Sequence, residues 1–96
     1  MEKEVINILE SARKELLTNG WCKGEASKGK QCCILYAMEK HTFNGYNIHT
    51  QKAEELVKDV MDIQGSITSW NDAKTRTKKE VIEALDLTIS AAYSEI

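Results

Sequence analysis

Ninety-six residues, 42% of them hydrophobic and 29% charged with a net charge of −2, suit one small globular domain and exclude a disordered chain. No apolar run approaches the roughly 20 residues that cross a bilayer, and the acidic, amphipathic start "MEKEVINILESARKELL" does not read as a secretion signal. Cys22, Cys32 and Cys33 are an odd set with an adjacent pair, which fits a reduced, cytoplasmic protein and excludes a disulfide framework.

The first predicted helix spans about Lys3 to Thr18, where Val5, Ile8, Leu9, Ala12 and Leu16 recur at steps of three and four. Asn19-Gly20 stops it. Residues 20–30, "GWCKGEASKGK", then read as a loop with three glycines and three lysines. A second helix, about Gln31 to His41, turns Cys33, Ile34, Ala37 and Met38 inward. In "TFNGYNIH" the Asn44-Gly45 pair signals a turn, with a short hairpin near 43–48 as the alternative.

Thr50 is the expected cap of a third helix, about Gln51 to Ile63, that buries Ala53, Leu56, Val57, Val60 and Met61 before Gly65 ends it. The fourth begins at the capping box Thr77-Lys78-Lys79-Glu80 and buries Val81, Ala84, Leu85, Thr88, Ile89 and Ala92. The expectation is all-α: one domain, residues 1–96, of about four helices. A chain this short buries only about 60–65% of its unfolded surface, so its lean core also points to a homo-oligomer.

Charge is unevenly spread. Residues 73–79 carry Lys74, Arg76, Lys78 and Lys79 without an acid, and residues 21–30 carry Lys23, Lys28 and Lys30 against Glu25. Each basic stretch precedes a predicted helix, and beside each stands one of the two tryptophans, Trp21 and Trp70. Helix starts favour anions, arginine grips phosphate and tryptophan offers a stacking face. The pattern therefore predicts a binding protein for a small anionic ligand such as a nucleotide or cyclic nucleotide. Trp21 and Trp70 would stack, Lys23, Lys30, Lys74 and Arg76 would hold phosphates, Asn71 and Asp72 would read polar edges, and Thr77 stands at the helix start.

The same residues admit a structural role. Asp72 and Arg76 can close the loop as an ion pair, Asn71 can cap the turn, and both tryptophans can fill a thin core. The protein would then act by binding a host protein, with Tyr36, Phe43, Tyr46 and Tyr93 as contact candidates. Other classes find less support. No CxxC or HxxxH pair supports a zinc site among Cys22, Cys32, Cys33, His41 and His49, so no metal or cofactor is expected. A nucleophilic Cys32 or Cys33 in the first turn of helix 2, with His41 or His49 as base, lacks a third group to orient the histidine. No enzyme is predicted. The negative net charge and the confinement of the cations to two loops argue against a nucleic-acid polymer.

"GWCKGEASKGKQCCILYA" followed by "SWNDAKTRTKKEV" resembles a family of short uncharacterised proteins of bacteria and phages, a domain of unknown function. The likeness rests on Gly20, Trp21, Gly29, Cys33 and Ala37, then Trp70, Asn71, Asp72, Arg76, Thr77, Glu80 and Val81. It covers nearly the whole chain, and Tyr36 departs from it, where the family often has glycine. The resemblance implies no activity. Its occurrence in phages implies a class of role against host defence, either sequestering a nucleotide signal or blocking a protein.

Overall fold

A computed structural model describes residues 2–40, 42 and 45–94 of the chain. Within them lie five helices and a two-stranded antiparallel hairpin: α1 (Lys3–Asn19), β1 (Ser27–Lys28), β2 (Gln31–Cys32), α2 (Ile34–Lys40), α3 (Ile48–Met61), α4 (Ile67–Asn71) and α5 (Lys78–Ser94). Helix α1 is the hub, packing on α2, α3 and α5, while α3 also packs on α5 and α2 on α4. The molecule measures 34 × 27 × 22 Å. Among the described residues, no helix is long and apolar enough to cross a membrane.

The apolar stripe of α1 is buried as its spacing predicts, and Val5, Leu9, Ala12 and Leu16 are fully enclosed. Leu9, Leu16, Ile34, Met38 and Leu85 are among the largest enclosed side chains, each contributing about 1.5–3 kcal/mol by leaving water. Gly20 closes α1 with φ +97°, its amide donating to the Leu16 carbonyl at 3.0 Å. Helix α5 starts at the predicted box: the Thr77 amide donates to Glu80 Oε1 at 2.9 Å, and the Glu80 amide to Thr77 Oγ1 at 3.3 Å.

Three predicted boundaries need correction, and one helix is new. Residues 27–32 form a hairpin with Ser27 opposite Cys32 and Lys28 opposite Gln31, so α2 starts three residues later than expected. Gly29 makes this turn at φ +61°, the sign a type II′ loop demands of its first residue. Helix α3 starts three residues early, because Asn47 caps it in place of Thr50: its Oδ1 accepts from the amides of His49 and Thr50 at 2.9 and 3.1 Å. It ends at Asp62, held at φ +52°, before Gly65 is reached.

The new element is α4, a five-residue helix too short to show a period. Ser66 caps it, accepting from the Ser69 amide at 3.0 Å, and Ile67 anchors it in the core with no exposed surface. The alternative hairpin at 43–48 involves Phe43 and Asn44, which lie outside the described residues, as does His41 at the expected end of α2.

Candidate functional site

The Gly-Trp and Trp-Asn-Asp blocks meet. Asn71, at the end of α4, is fully buried and lies between the two. Its Oδ1 accepts from Trp21 Nε1 at 2.7 Å and from the Ile34 amide at 3.1 Å. Its Nδ2 donates to the Cys22 carbonyl at 3.2 Å and to Asp72 Oδ1 at 2.9 Å. A side-chain amide has two donor hydrogens and two acceptor lone pairs, so all four of its positions are taken.

Around this centre each neighbouring loop is tied to the other. The Gly24 amide donates to Asp72 Oδ1 at 2.9 Å. That bond, followed by the one from Asn71, holds the Asp72 carboxyl below the ordinary aspartate range. Lys23 Nζ donates to the carbonyls of Ala73, Lys74 and Arg76 at 3.1, 2.8 and 3.3 Å, which occupies its three hydrogens.

The Arg76 guanidinium lies over the Trp70 ring at 4.1 Å, a separation at which cation and π-face attract. Its Nε donates to the Trp70 carbonyl at 2.9 Å and its Nη1 to Glu80 at 3.3 Å. The expected Asp72–Arg76 ion pair is therefore replaced by Arg76–Glu80, because Asp72 faces Gly24 and Asn71. Glu80, accepting chiefly from the Thr77 amide, is held below the ordinary glutamate range.

Of the sequence-predicted site residues, Trp21, Lys23, Trp70, Asn71, Asp72 and Arg76 thus share one connected network, and Thr77 joins it through Glu80. Lys30 stands apart in the exposed hairpin turn. Lys28, Lys30, Lys74, Lys78 and Lys79 are exposed, and none has an ion-pair partner among the described residues. The network joins their two stretches, through Lys23 and Gly24 on one side and residues 72–76 on the other.

One surface cleft touches this network at Gly24 and Asp72. Of about 220 Å³ and beside α2, it is also lined by Glu25, Cys33, Tyr36 and Glu39, among others, and carries acids without a cation. Another of about 530 Å³ runs between α1 and α5, lined by Arg13, Leu17, Asp86 and Ile89 among others. Neither tryptophan lines either cleft. Glu2, Glu4 and His49 bring ligand-type atoms within 4.8 Å of one another, but Lys52 already pairs with Glu2 and supplies the charge a cation would bring.

Cys33 is buried as expected, but Cys32 takes a position the sequence did not predict. Cys32 lies in β2, and all three are buried and free. Burial pushes the Cys32 thiol up to about 11 and raises that of Cys22, the reverse of an activated nucleophile. Periodicity also missed Glu15, a buried carboxylate on the inward face of α1 that accepts from Lys40 at 3.0 Å and Asn19 at 2.7 Å. The one hint was its place among apolar positions, a turn below Ala12.

Residues 1–91 match the family model described as "Family of unknown function (DUF6197)", and the chain belongs to that family. No curated protein and no solved structure matches it.

Proposed function

We propose that this protein is a non-enzymatic interaction module, in which the Trp-Asn-Asp…Arg-Thr block latches the fold and the exposed lysines around it engage an acidic surface on a partner protein. The observation that carries this is Asn71: the residue best suited to read a ligand is enclosed and spends every hydrogen-bonding group inside the molecule. Lys23, although exposed, likewise spends its three ammonium hydrogens on carbonyls of the 73–76 turn. What is left for a partner is the exposed charge of Lys28, Lys30, Lys74, Lys78 and Lys79, and exposed basic side chains suit a macromolecular acidic face. Tyr46 and Tyr93, about half exposed, are further contact candidates. Tyr36 is partly buried, and Phe43 lies outside the described residues.

A second role is favoured by one observation, the joining of both tryptophans and both basic stretches in one hydrogen-bonded network. There the protein would capture a small anionic ligand, such as a cyclic nucleotide signalling host defence, with a second copy helping to enclose it. A stacked base would have to displace Arg76 from Trp70.

Tryptophan fluorescence and thermal unfolding distinguish the two when the protein is titrated with an oligo-glutamate peptide and, separately, with mono-, di- and cyclic nucleotides. The interaction module predicts salt-sensitive peptide binding that the triple change Lys28→Glu, Lys30→Glu, Lys74→Glu abolishes, with no nucleotide effect. A nucleotide at a hundred times its Kd would instead add about 2.7 kcal/mol of stability. That result, lost in Arg76→Ala, would replace the first role with the second.

A further inference from the structure

We propose that Cys22 and Cys33 are a paired thiol site that a small-molecule disulfide oxidises to an intramolecular disulfide, stapling the hairpin to the segment that precedes it. The backbone sets up the pair. Trp21 and Cys32 form a parallel bridge in which the Cys32 amide donates to the Gly20 carbonyl at 3.3 Å and the Cys22 amide to the Cys32 carbonyl at 3.2 Å. One step further along both segments brings Cys22 beside Cys33.

Successive side chains in extended segments point to opposite faces. Cys22 and Cys33 therefore share one face, while Trp21 and Cys32 share the other. Neighbouring strands lie about 4.8 Å apart, within the Cα separation of about 4.4–6.8 Å that a disulfide bridges. The Asn71 side chain fixes the same neighbourhood independently, since it bonds the Cys22 carbonyl with one end and the Ile34 amide with the other.

Access is available to a small oxidant. Cys33 lines the acidic cleft beside α2, together with Gly24, Glu25 and Ala26. Cys22 Sγ lies 3.5 Å from the carbonyl of Glu25, a residue of that lining. Cys32 is 1% exposed, on the opposite face. The chemistry is two exchanges. The Cys33 thiolate attacks one sulfur of a disulfide such as oxidised glutathione, forming a mixed disulfide and releasing one small thiol. The Cys22 thiolate then attacks Cys33 Sγ and releases the second. The protein loses two protons and two electrons, and the oxidant leaves as two thiols.

The test incubates the native chain with oxidised glutathione, alkylates it under denaturing conditions and maps its tryptic peptides. Peptide 15–23, which holds Cys22, is expected to appear joined to peptide 31–40, which holds Cys32 and Cys33. Cys32→Ser should keep the link and Cys33→Ser should lose it, with circular dichroism confirming that both variants are folded. A wild-type chain that yields only alkylated cysteines or separate glutathione adducts overturns the proposal. A link that survives in Cys33→Ser overturns it equally, because the pairing is then with Cys32.

Discussion

Trp21 and Asn71, fifty residues apart in the chain, are joined by a 2.7 Å hydrogen bond from the indole nitrogen to the side-chain carbonyl of a fully buried amide. That bond links the loop after α1 to the end of α4, and the other three bonds of Asn71 reach Cys22 in the same loop, the Ile34 amide at the start of α2, and the neighbouring Asp72.

Replacing this amide should therefore cost far more than its size suggests. Asn71→Ala leaves the indole N–H, the Ile34 amide and the Cys22 carbonyl without partners in a buried place. Each orphaned group costs about 1–3 kcal/mol, so a total loss of about 3–5 kcal/mol is expected. Urea unfolding measures it directly, with Lys28→Ala as a control expected within about 0.5 kcal/mol of the parent. A loss below about 1 kcal/mol would show that the amide is not the centre of the latch.

How much of this was legible beforehand depends on how local each signal is. The capping box at Thr77 and Glu80 was legible because both partners lie within one turn. So was the stripe of α1, because burial repeats with the helical period. In "NIHT" the expected cap Thr50 is enclosed on the helix, and Asn47, three residues earlier, caps it instead. The hairpin at 27–32 left little trace, since two-residue strands cannot display alternation. For the latch, the sequence showed unusual residue types but not their partners. Asn71 reaches Trp21, Cys22 and Ile34 across 37 to 50 positions, which no periodicity encodes.

Arg76 is predicted to act through both its plane and its charge. Arg76→Lys keeps the charge but loses the flat contact with Trp70 and the fixed fork that serves the Trp70 carbonyl and Glu80 at once. Tryptophan emission should change, and stability should fall by about 1–2 kcal/mol. An emission spectrum identical to the parent would place Arg76 away from the ring.

Acid should loosen the latch in a defined window. The Asp72 carboxyl, ordinarily near 3.8, is lowered in the fold, chiefly by the Gly24 amide. A depressed carboxyl adds stability that is present above its unfolded value and lost as pH falls through the folded one. The melting temperature should hold from pH 7 down to about 5 and drop below about 4. In Asp72→Asn the drop should be shallower, starting from a lower plateau. An unchanged acid limb would exclude Asp72 as its source.

Alkali probes the other side. The buried Cys32 thiol is pushed up to about 11 from 9.0. In that interval the unfolded chain has released this proton and the folded one retains it, so stability falls as pH rises from 9 toward 11. Cys32→Ala should flatten this part of the profile in equilibrium unfolding, and an equal slope in both proteins would count against it.

Lys23, with its ammonium set among three carbonyls of the 73–76 turn, also dictates an order of assembly. Those contacts span about fifty residues, and loop-closure entropy delays such pairings until closer ones have formed. The neighbouring packing of α1 and α2 can assemble first, and the turn then fastens over it. In hydrogen exchange the Gly24 amide should accordingly open more readily than the amides of the α1 interior. The latch would then form after the local packing of α1 and α2, and the Gly24 loop would open before the α1 interior.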